Sequence, residues 1–125
     1  MIDAAALERD AVDRGLTLLG GFDEGAGTTI LLGPDPATFW SVLIAAPEWG
    51  GPDPVDRWSR RVIGGWAATL GAVARYPFGD PPEPFLRWAT ASRRCHISPV
   101  GMLVHDTQGL MVSFRGALTL PSRIT

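Results

Sequence analysis

Apolar positions along this chain recur with two different periods, and the switches between them predict its elements. Leu7, Ala11 and Val12 fall at helical spacing after Asp3, which caps a helix over residues 4–14 with Gly15 as its stop. Residues 16–22 and 28–32 then read as two strands across the glycine-rich turn Asp23-Glu24-Gly25-Ala26-Gly27. Thr29-Ile30-Leu31-Leu32 is uninterrupted, the pattern of a strand covered on both faces. Asp35-Pro36 supplies a cap and a proline at the first helical position, predicting a helix that runs to about residue 46.

Prolines and glycines break residues 47–54 into a loop, after which Asp53-Pro54 repeats the cap-and-proline signal. The helix that follows reaches about Leu70, with Val55, Trp58, Val62, Trp66 and Leu70 as its apolar stripe and Gly71 as terminator. Residues 72–78 form a third strand, residues 79–84 a proline-rich turn, and residues 85–91 a short helix. Residues 92–99 read as irregular and basic. Residues 100–105 and 110–115 form a hairpin around Asp106-Thr107-Gln108-Gly109, and residues 117–120 extend the sheet. The expected class is α/β, bordering on α+β: one domain over residues 1–125, with a mixed β-sheet of about five strands, helical cover and a final β-hairpin.

Composition narrows the function classes. Of 125 residues, 46% are apolar and 19% charged, which places the chain with folded globular proteins. A net charge of −2 gives no positive field toward nucleic acid or anionic lipid, so neither is expected as a partner. All 11 basic residues are arginine, the residue suited to bidentate carboxylate or phosphate binding. No apolar run of about 18 residues spans a bilayer. Residues 1–14 alternate acids and bases, unlike a signal peptide, and Cys95 is the only cysteine, so the expected compartment is the cytoplasm.

Catalytic patterns are incomplete. Cys95, His96 and His105 are too few, and two of them too close, for a tetrahedral metal site. Arg93, Arg94 and His96 surround Cys95 with positive charge that would activate a thiol, so a free-standing enzyme using Cys95, His96 or His105 is one candidate class. Gly20-Gly21 and Gly25-Ala26-Gly27 match no phosphate-binding fingerprint and read as a hairpin turn. The better candidates are for binding. Arg57, Arg60 and Arg61 lie off the stripe of the long helix and form a cationic face for an anionic cofactor tail or an acidic partner. Trp49 sits in the proline-glycine loop with no core pattern around it, as a contact residue would.

Residues 53–63 (Asp53-Pro54-Val55-Asp56-Arg57-Trp58-Ser59-Arg60-Arg61-Val62-Ile63), Ser98-Pro99-Val100-Gly101-Met102-Leu103-Val104-His105 and Phe114-Arg115-Gly116-Ala117-Leu118 resemble the N-terminal domain of bacterial ferredoxin-like iron–sulfur proteins. More distantly, the second half is similar to the N-terminal domains of epoxyqueuosine reductase and the reductive dehalogenases. The resemblance implies a non-cluster, cofactor- or partner-facing domain in electron transfer, its partner a C-terminal iron–sulfur domain or a separate redox protein. It also implies a corrinoid as a further cofactor. A four-iron cluster takes four cysteine ligands, and this chain has one. By that resemblance the chain is either part of a longer iron–sulfur protein or a relative without the cluster. A binding module with no redox role is the alternative.

Overall fold

A computed structural model describes residues 3–78, 82–99, 102–109 and 113–124. The elements run α1 (Ala4–Asp13), β1 (Leu16–Glu24), β2 (Gly27–Pro34), α2 (Phe39–Ile44), α3 (Pro54–Leu70), β3 (Val73–Arg75), α4 (Phe85–Ala91), β4 (Cys95–Ile97), β5 (Leu103–His105) and β6 (Gly116–Thr119). The strands form a four-stranded sheet of order β1-β2-β6-β3 and a separate β4-β5 pair. The expected α/β class holds, and every pairing among the described residues is antiparallel.

Strand β2 carries the core, because it is central and covered on both faces as its unbroken apolar run predicts. Ile30 and Leu32 face one way, into a cluster with Leu7 and Ala11 of α1, Phe39 and Leu43 of α2, and Trp58, Ile63 and Trp66 of α3. Leu31 faces the other way, against Phe85, Trp88 and Ala89 of α4 and Cys95 of β4. A bulge between Leu18 and Gly20 turns Leu19 into this second cluster.

Helix α1 begins as its sequence signal predicts, with Asp3 accepting the Ala5 N–H at 3.1 Å. Helix α2 is shorter than expected. Asp35 turns its carboxylate to the Thr38 hydroxyl at 2.7 Å, so residues 36–38 form a turn and the helix starts only at Phe39. The interior face of α3 also differs, since Ser59, Ile63 and Ala67 join Trp58 and Trp66 inside while Val55, Val62 and Leu70 are half-buried flanks. The reason is close packing on β6. Gly116 leaves room for Ile63, whose Cδ1 would lie 2.7 Å from any Cβ placed there, and small Ser59 bonds back to the Val55 carbonyl at 2.7 Å.

The expected third strand contracts to three residues. The segment expected to be irregular, residues 92–99, instead supplies β4, which pairs with β5 through Cys95↔His105 and Ile97↔Leu103. The hairpin expected between residues 100–105 and 110–115 falls in part on residues 100, 101 and 110–112, which lie outside the described ones. Beyond its pairing with Cys95, His105 forms an isolated bridge to Gly109, and β6 enters the sheet between β2 and β3. Among the described residues no helix is long and apolar enough to cross a membrane.

Candidate functional site

Between α2 and α3 the chain crosses residues 45–53, and α3 holds that loop from beneath. Arg61 grips Glu48 with both forks of its guanidinium, Nε to Oε2 at 2.7 Å and Nη2 to Oε1 at 3.0 Å. This pairing holds the Glu48 carboxyl below the usual carboxylate range and lifts Arg61 further above its own. Four residues earlier on the same helix, Arg57 donates to the Pro52 carbonyl at 3.3 Å. Arg60 points elsewhere. Its guanidinium lies over Tyr76 and Phe78, at 5.1 and 5.0 Å from the ring centres, while the Tyr76 hydroxyl donates to the Arg60 carbonyl at 3.2 Å.

The three arginines expected as one cationic face are thus three separate attachments. Arg57 and Arg61 fasten the loop to α3, and Arg60 fastens α3 to the chain after β3. Glu48 was not singled out by sequence, because a lone acid in a proline-glycine loop carries no periodicity. The bidentate geometry that Arg alone offers is used here inside the protein.

What the loop presents outward is aromatic. Trp49 is 46% exposed and meets Trp40 of α2 edge-on, their ring centres 6.3 Å apart. Trp40 is 61% exposed and Ile44, one turn further on the same face, is 53% exposed. Trp49 stands where a contact residue was expected. Trp40 and Ile44 were missed, although Phe39 and Leu43 facing inward put positions 40 and 44 outward by helical period. A cleft of about 290 Å³ opens beside Trp40, lined also by Pro34, Pro36 and Phe39.

Of the groups considered for catalysis, Cys95 and His105 are committed to the fold. Cys95 packs in the second core cluster, and burial pushes its thiol up, away from the reactive range, with Asp106 adding to the shift and Arg94 opposing it. His105 is fully buried, its Nε2 at 2.8 Å from the Leu19 carbonyl. Its Nδ1 accepts the Thr107 and Gln108 N–H groups, each at 3.1 Å. That pattern assigns the neutral tautomer with the proton on Nε2 and leaves no nitrogen free. His96 is exposed on β4.

Among the described residues no three or more His, Cys, Asp or Glu side chains gather where they would hold a metal ion. One cysteine cannot supply the ligands of a four-iron cluster, and neither that cleft nor a second cavity beside β1 is lined by histidine or cysteine that could ligate a corrinoid's metal. Compared with known proteins, the chain matches no family model, no curated protein and no solved structure.

Proposed function

We propose that this domain is the non-catalytic, partner-facing part of a ferredoxin-like redox protein, and that it meets its iron–sulfur partner through Trp40, Ile44 and Trp49. The observation that carries the reading is this exposed group, Trp40 and Ile44 on α2 beside Trp49 on a loop fastened by Glu48 and Arg61. Tryptophans supply large contact area at little cost in side-chain entropy, and they dominate the energetics of protein interfaces. The redox half of the reading is supported by the resemblance of residues 53–63, 98–105 and 114–118 to ferredoxin-like N-terminal domains.

The test is titration of a reconstituted bacterial four-iron ferredoxin onto the chain, followed by calorimetry. Saturable binding that weakens by about tenfold or more in the Trp40→Ala, Trp49→Ala double variant, with the melting temperature preserved, is the expected result. No binding by the wild type at millimolar concentration, or equal binding by the double variant, would overturn the proposal. Equally tight binding of non-redox control proteins would favour a general interaction module instead.

A further inference from the structure

Strand β1 is one edge of the four-stranded sheet, and the outward main chain is handled in two ways along its length. Side chains close the edge at Leu18 and Leu19. Glu8 Oε2 accepts the Leu18 N–H at 3.2 Å, Arg94 Nη1 donates to the Leu18 carbonyl at 3.4 Å, and His105 donates to the Leu19 carbonyl at 2.8 Å. Past the bulge this closure stops.

The carbonyls of Leu32 and Thr28 accept N–H groups of Arg115 and Leu120, on the β6 side of β2. Antiparallel strands turn successive residues to opposite edges, so Leu31 and Thr29 face β1 and bond their partners Gly20 and Phe22. Gly21 and Asp23 consequently turn N–H and C=O outward, and no described residue takes up those four groups. Natural sheets blunt such edges. This one is blunted for two residues and then left open.

A cavity of about 400 Å³ runs along the open stretch, with Leu18, Phe22, Ile30 and Ile124 as its apolar walls and Asp23 and Arg94 among its polar ones. It lies on the side where Gly21 carries no side chain to fill it. Ile30 belongs to the first core cluster and Leu18 and Ile124 pack against it, on the side where a Gly21 side chain would meet Ile30.

We propose that this stretch of β1 accepts an extended peptide of a partner protein as an added strand, with an apolar residue opposite Gly21 and a basic residue opposite Asp23. Main-chain bonds to Gly21 and Asp23 hold the peptide, and alternate side chains select it. Residues two apart lie on one face, so the apolar residue fills the cavity while the basic one reaches Asp23. The cation already near Asp23, Arg123, lies 3.7 Å away with both groups exposed. A second copy of the chain fits worse. In the two-fold register centred on Phe22 it would set its own Asp23 opposite Gly21, a carboxylate against apolar walls. The inference does not rest on the aromatic surface.

The probe is a short capped threonine peptide carrying leucine and, two positions on, arginine, followed by amide shifts and hydrogen exchange in the whole chain. Saturable shifts centred on β1, with Gly21 and Asp23 amides exchanging about tenfold more slowly at saturation, are expected. The same peptide N-methylated along its backbone should not bind. Asp23→Lys, an exposed change, should weaken the arginine peptide and favour a glutamate version. Equal binding of the N-methylated peptide, no binding at millimolar concentration, or indifference to Asp23→Lys would overturn the proposal. So would peptide-independent protection of Gly21 and Asp23 that grows with protein concentration, which would assign the edge to a second copy.

Discussion

Trp58→Ala is the sharpest test of the core, because Trp58 is 0% exposed and lies at the junction of α2, α3 and the sheet. Its ring meets Phe39 edge-on, with centres 5.4 Å apart and planes at 90°. Removing a buried tryptophan costs about 3–5 kcal/mol. The pair with Phe39, of a kind worth roughly 0.5–1.5 kcal/mol beyond burial, places this site in the upper half of that range. A domain of this size is stable by about 5–15 kcal/mol in total, so the variant should fold but sit close to its threshold. With a urea slope of about 2 kcal/mol per molar, a loss of 4 kcal/mol moves the unfolding midpoint down by about 2 M. Far-UV circular dichroism is the suitable readout, since the substitution removes a fluorophore. Trp49→Ala serves as the control and should cost less than about 1 kcal/mol, because Trp49 is 46% exposed and lies outside both core clusters. A loss below about 1.5 kcal/mol at Trp58, or similar losses at both sites, would refute this division of buried from displayed tryptophans.

Two further predictions follow from groups whose titration is shifted. Glu48 ionises more readily in the folded state than its ordinary value of 4.5, first because Arg61 hydrogen-bonds it. Its contribution is therefore fully present above about pH 4.5 and lost as pH falls through the lower folded value. The stability gap between wild type and Glu48→Gln should accordingly shrink as pH is lowered from 7 to 3, and a gap that is constant over that range would refute the pairing. Cys95, its thiol pushed up by burial, should react with an aromatic disulfide reagent at pH 8 far more slowly in the native chain than in urea. Equal rates would show that the thiol is not enclosed by the second core cluster.

Much of the fold was legible because its signals are local. Asp3 before an amphipathic run, the unbroken Thr29-Ile30-Leu31-Leu32, Pro54 at the start of α3 and Gly71 at its end each specify an element through their immediate neighbours. Gly71 closes its helix in the left-handed conformation, φ 64°, which glycine adopts without steric cost. What went unread depends on partners far away in sequence. Cys95-His96-Ile97 is too short a run, between Arg94 and Ser98-Pro99, to read as a strand, and it becomes β4 by pairing with β5. The face of α3 turned from Val62 toward Ile63 because Gly116, more than fifty positions later, admits that side chain. The contraction of α2 has a local cause after all, the competition between Asp35 as cap and Asp35 as partner of Thr38.

The aromatic surface shows why a candidate site can be half legible. An exposed tryptophan in a loop is conspicuous in sequence, but its value to a partner depends on whether the loop is already ordered. Binding to a mobile loop loses affinity to the entropy of fixing it, and an ordered loop avoids that loss. Here order comes from Glu48, which is nearly covered and whose carboxylate both forks of Arg61 satisfy, and from Arg57 on the Pro52 carbonyl. Such a buried acid would be costly alone and becomes acceptable only with its guanidinium in place. Two of the three cations that sequence offered as ligands for an outside anion, Arg57 and Arg61, are on this geometry attached to the loop that carries Trp49. Arginine at 61 serves this role where lysine would not, since a single ammonium cannot meet both carboxylate oxygens in one plane.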